Sequence, residues 1–92
     1  MSIVVRFSPI ALTAEKYAEA IRLLTNAGEW PPAGGDYHVC FGVAGNLKVS
    51  EIWNSREQFE AFGKRLMPIL AAADIQFASP PDIFEVHNVV KG

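Results

Sequence analysis

With 92 residues, half of them apolar and 20% charged, the chain has the length of one domain and is too hydrophobic to be a disordered segment. Its formal charge of -2 is spread over 8 basic and 10 acidic side chains with no run of either sign, which argues against nucleic acid as a partner. No apolar run approaches the ~20 residues that span a bilayer. The first eight residues do not read as a secretory signal, so a soluble cytoplasmic protein that makes no membrane contact is expected. The lone Cys40 excludes an internal disulfide and provides no cysteine-based metal pattern. Neither a metal nor a cofactor is expected.

Residues 2–8 form a β-branched run that Pro9 closes, because proline brings no backbone donor to a ladder. Thr13 is placed to cap a helix, with Leu12 and Tyr17 spaced for a hydrophobic staple over its first turn. Ala14, Tyr17, Ala18, Ile21 and Leu24 then follow helical spacing, and Gly28 can take the left-handed turn that ends the helix. Two prolines and two glycines make 29–35 a loop, in which Trp30 serves as a lid or packs on the edge of the core. Segments 36–44 and 47–53 read as strands joined by a tight Gly45-Asn46 turn.

A second helix starts near Arg56, with Ser55 and Gln58 as a capping box and an apolar stripe of Phe59, Phe62, Leu66, Ile69 and Leu70. Pro68 should kink it or restart it, with an end near Ala73. After Ser79-Pro80-Pro81, residues 83–90 alternate as a last strand. This order predicts an α+β, ferredoxin-like βαββαβ domain. Its four-stranded antiparallel sheet has the order 4-1-3-2, and both helices lie on one face.

A two-residue Gly45-Asn46 turn sets His38 opposite Trp53 and Cys40 opposite Glu51. The greasier Val39, Phe41, Val43 and Ile52 are then expected under the helices, with Ile3, Val5, Phe7, Phe84 and Val86. The open face is left with Arg6, His38, Cys40, Glu51, Trp53, Glu85 and His87. On that face Arg6 is expected to stand between Glu51 and Glu85. Such a mixture of charge, imidazole and indole suits a half-wet lumen better than a core, since buried charge must be paired. It also suits a solvated face, or one packed on another chain with its polar groups bonded and no chemistry.

The element order and the segment Val49-Ser50-Glu51-Ile52-Trp53-Asn54-Ser55-Arg56-Glu57-Gln58-Phe59 resemble the dimeric α+β barrel superfamily, in particular the antibiotic-biosynthesis monooxygenase-like proteins. The resemblance implies a homodimer in which two sheets form a barrel, with a pocket in each subunit for a small aromatic or hydrophobic ligand. It also implies oxygenation of hydroxylated polycyclic aromatics without a cofactor. Trp53 matches the family's pocket tryptophan, Phe59 an aromatic of the second helix that is often tyrosine there, and His38 a strand-two histidine. Val49 stands where characterised monooxygenases of this type tend to have asparagine. The haem-degrading branch uses an asparagine on the first strand and a histidine on the second helix, and neither is present.

Two readings therefore stand. One is a cofactor-independent oxygenase or isomerase in which His38 abstracts a phenolic or enolic proton, His being the side chain that changes charge nearest neutral pH. Beside His38, Trp53 with Phe59 holds the planar substrate, and Glu51, Arg6, Cys40, Glu85 and His87 line the site. The other reading is a noncatalytic dimeric binding or assembly module.

Overall fold

A computed structural model describes residues 1–91. The elements are β1 (Ile3–Phe7), α1 (Ala14–Asn26), β2 (Gly35–Val43), β3 (Asn46–Trp53), α2 (Arg56–Ala72) and β4 (Asp82–Glu85). The strands form one antiparallel sheet in the order β2-β3-β1-β4, which is the expected 4-1-3-2 order read from the other edge. Both helices cover one face. The ferredoxin-like expectation therefore holds in element type, order and topology.

Local chemistry explains the element ends. The Thr13 hydroxyl accepts the Lys16 backbone N–H at 3.1 Å, and Leu12 packs with Tyr17 to close the staple. Gly28 ends α1 with φ +74°, a left-handed value that costs glycine little. The inward stripe of α1 is rotated from the expected one: Ala20 and Leu24 are buried beside the half-buried Tyr17 and Ile21, while Ala14 and Ala18 are exposed. Ser55 accepts the Gln58 backbone N–H at 3.2 Å to start α2, which continues through Pro68 instead of restarting there.

The β2–β3 turn lies one residue earlier than expected. Val43 pairs with Asn46 around Ala44-Gly45, with Gly45 taking φ +81°. The cross-strand pairs slide accordingly, so His38 stands opposite Glu51 instead of Trp53, and Cys40 opposite Val49 instead of Glu51. A one-residue move of the turn slides each pairing by two, which preserves the faces. His38, Cys40, Glu51 and Trp53 still share one side of the sheet.

That side faces the helices, and here the expectation is reversed. Ile3, Val5 and Phe7 of β1 pair with Trp53, Glu51 and Val49, so the polar residues are carried into the layer between sheet and helices. One core cluster joins Ile3, Val5, Leu24, Trp53, Phe59 and Phe62; a second joins Leu12, Ala20, Leu70, Ala73 and Ile75. Val39, Phe41, Val43 and Ile52 lie on the open face with Val4, Tyr37 and Phe84, the last 57% exposed and paired with Val4. Ile83, not Phe84, faces the core, opposite Val5.

The last strand is shorter than the expected 83–90. Glu85 pairs with Ile3 and the Val86 N–H still reaches the Ser2 carbonyl at 3.0 Å, but β1 offers no partner beyond that point.

Candidate functional site

The buried layer contains one carboxylate that must find partners. Glu51 is 6% exposed, on β3 between Val5 of β1 and His38 of β2. His38 Nδ1 lies 2.6 Å from its Oε2, and the Trp53 indole N–H donates to its Oε1 at 3.0 Å. Both carboxylate oxygens are thereby engaged, the condition for keeping such a group out of water. Trp53, 1% exposed, is locked by Phe59 and Phe62, with ring centroids 5.6 and 5.3 Å away. The carboxylate is held by a residue that cannot turn.

The chain of bonds continues on the other side of the imidazole, where His38 Nε2 lies 2.7 Å from the Tyr17 hydroxyl. An ionised carboxylate only accepts, so in the neutral imidazole Nδ1 carries the proton and Nε2 accepts from the Tyr17 O–H. Burial, with the nearby Cys40 and Glu51, pushes the Tyr17 phenol above its usual range and keeps it protonated. Tyr17 stands in the fourth position of α1 and is aimed by the staple and the Thr13 cap. Trp30 sets its ring edge-on to His38, with centroids 4.9 Å apart at 85°.

Two spaces meet at this relay. An apolar cavity of about 60 Å³ lies between the sheet and the helices, bordered by Tyr17, Leu24, Trp30, His38, Phe62 and Leu66 among others. An outer pocket of about 210 Å³ lies under the loop between α1 and β2, against Trp30, Pro31, Asp36, His38, Glu51 and Trp53. Trp30, His38 and Glu51 border both. A third and wider groove of about 610 Å³ runs between α2 and residues 77–81.

Of the residues singled out in the sequence, the structure brings His38, Glu51 and Trp53 together. Cys40 shares their side of the sheet, half-buried and opposite Val49, and burial pushes its thiol up. Phe59 packs between Phe7 and Trp53 and borders the groove along α2, not the cavity beside His38. Arg6 points away: it pairs with Ser50 and Asp82 on the open face, and its expected contact with Glu51 and Glu85 does not form. Register decides this, since Arg6 lies one residue out of phase with Val5 and Glu51. Glu85 is exposed at the end of the edge strand, and His87 is exposed beyond it. Among the described residues, no three His, Cys, Asp or Glu side chains converge as a metal site.

Sequence reasoning missed Tyr17 and gave Trp30 no partner. Tyr17 reads as one more member of an apolar stripe, yet its hydroxyl is the one polar side-chain atom that the stripe carries inward.

No protein-family model and no curated protein matches the chain. Solved structures do. SnoaB, a cofactor-independent oxygenase from Streptomyces nogalater solved as a mutant, superposes with a TM-score of 0.62 at 18% identity, covering 99% of this chain and 96% of that one. A candidate antibiotic biosynthesis monooxygenase from Chloroflexus aurantiacus J-10-fl gives 0.60 at 11% identity over 98% and 95%. A second such candidate, from Deinococcus radiodurans, gives 0.55 at 14% over 99% and 97%. The chain shares the fold of the antibiotic-biosynthesis monooxygenase-like structures over nearly its whole length.

Proposed function

We propose that the chain is a cofactor-independent enzyme that takes the proton from a small phenolic or enolic compound. The resulting anion then reacts with dioxygen or is reprotonated on carbon. The observation that carries this reading is the His38 imidazole, which borders an apolar cavity while its Nδ1 is fixed on a buried carboxylate. That is the arrangement of a general base oriented by a third group.

In the resting site Tyr17 donates to Nε2. A substrate hydroxyl that bonds to the Tyr17 oxygen hands its proton to Tyr17 as the Tyr17 proton moves to His38. The imidazolium so formed faces Glu51, whose charge stabilises it. Trp53 positions that carboxylate through its indole N–H and lines the outer pocket. In the oxygenase branch a ring methylene activated as its enolate takes up dioxygen and loses water, CH2 plus O2 giving C=O plus H2O. The shared fold with a structure described as a cofactor-independent oxygenase supports that branch over isomerisation.

We further propose that two copies meet through their open faces. Val4, Val39, Phe41, Ile52 and Phe84 share that face with Arg6, Lys48, Ser50 and Asp82, so it carries large apolar groups among polar ones, and a monomer of this size has a small core of its own. The free, half-buried Cys40 suits a reducing cytoplasm.

The size of the inner cavity favours the second reading, a noncatalytic dimeric binding or assembly module whose cavity is largely filled by its own side chains: about 60 Å³ is less than half the ~150 Å³ of a cavity that takes benzene. Oxygen consumption with a panel of hydroxylated one-ring and two-ring aromatics separates the two. The enzyme reading expects uptake that falls roughly 100-fold or more in His38→Ala, the range of a lost general base. Binding across the panel with no turnover would replace it with the module.

A further inference from the structure

The inner cavity is too small for an aromatic ring as it stands, so a ligand reaches the relay only if part of the wall gives way. Most of the wall cannot. Tyr17 and Leu24 belong to α1, His38 and Glu51 to paired strands, and Phe62 and Leu66 to α2. The irregular segments on the far side are also tied in: the Ile10 N–H bonds to the Gln76 carbonyl at 2.8 Å, Pro9 bridges Phe77, and the Leu47 N–H bonds to the Leu12 carbonyl at 3.0 Å.

Trp30 differs. It lies in the loop between α1 and β2, next to Pro31 and Pro32, which bring no backbone donor. The loop is pinned on either side of it. The Glu29 N–H bonds to the Leu24 carbonyl at 2.9 Å and the Glu29 carboxylate pairs with Arg65, while the Gly34 carbonyl accepts the Asn54 N–H at 2.9 Å. Between those two points the Pro32 carbonyl accepts the Gly35 N–H at 3.2 Å, and Trp30 itself is held by side-chain packing, edge-on against His38 and on the core cluster. Its indole borders both the inner cavity and the outer pocket, which is more than three times larger, and the other two residues that border both, His38 and Glu51, are fixed on paired strands.

We infer that Trp30 is the specificity-determining wall of the site: its indole divides one ligand space into two and sets how many rings a phenolic or enolic ligand has when it reaches Tyr17 and His38. The inference rests on the proposed ligand class, but not on turnover. With the indole in place a single ring enters by displacing it slightly. With the indole removed, the two spaces join on the His38 side and a fused ring is accommodated.

The test is calorimetric binding of phenol and of 1-naphthol to the intact protein, to Trp30→Phe and to Trp30→Ala, with thermal melts confirming that each is folded. The quantity read is the ratio of the naphthol Kd to the phenol Kd. The expected ratio falls roughly tenfold or more from wild type to Trp30→Ala, the scale on which apolar pockets discriminate size. Trp30→Phe falls in between, and it carries the test if Trp30→Ala does not fold. An unchanged ratio across the folded proteins, or no binding of either phenol by any of them, overturns the inference. Oxygen uptake measured alongside keeps the two claims apart. A shifted ratio without uptake sinks the oxygenase reading alone, and uptake with an unshifted ratio sinks the role of Trp30 alone.

Discussion

At the scale of residues, the site is a solution to one electrostatic problem. Glu51 is nearly out of water, and in the sheet–helix layer an imidazole and an indole each give its carboxylate a partner. The pairing then propagates, since orienting Nδ1 toward Glu51 forces Nε2 toward α1, where Tyr17 meets it. Tyr17→Phe should cost about 1 kcal/mol at neutral pH, the net worth of one hydrogen bond. It should also change the alkaline limb of stability. Burial raises the Tyr17 pKa in the folded state, so its contribution is fully present below the unfolded value near 10 and is lost as pH rises through the higher folded value. Urea titrations of both proteins from pH 8 upward should therefore show wild type losing stability faster above pH 10 than Tyr17→Phe. Parallel curves would show that the phenol is not buried as described.

At the scale of elements, each partner in the relay depends on a local device. The Thr13 cap and the Leu12–Tyr17 staple set where α1 begins, and hence where the Tyr17 hydroxyl stands. Thr13→Ala should cost about 1 kcal/mol in thermal or urea unfolding and loosen Tyr17 as it does so. Both devices are readable in the sequence, because capping and stapling are short-range chemistry with fixed offsets. The hairpin is readable to within one residue for the same reason. Which side of the sheet faces the helices is not, because β2 and β3 place large apolar groups on both sides. Counting Val39, Phe41, Val43 and Ile52 against His38, Cys40, Glu51 and Trp53 favours the wrong side. The missing information is long-range: the pairing of Val5 with Glu51 settles the face, and no local pattern encodes it. Tyr17 was missed for a related reason, since its partner is a strand 21 residues away.

At the scale of the molecule, the two sides of the sheet divide the work. The helix side encloses the relay and its cavity, and the open side carries Phe41 and Phe84 in water, an arrangement that a second copy would relieve. Sedimentation of the wild type should show a dimer that Phe41→Glu or Phe84→Lys converts to a folded monomer, and a monomeric wild type would refute the open-face pairing. The central claim is that His38 accepts a proton from a ligand held in the apolar layer. It is read most directly in the absorbance of bound 4-nitrophenol, whose anion absorbs in the visible, at a pH where the free phenol is neutral. The account predicts that the anion band appears on binding to wild type and is absent on binding to His38→Ala. A bound phenol that stays neutral in wild type, or an anion band that survives in His38→Ala, would contradict it.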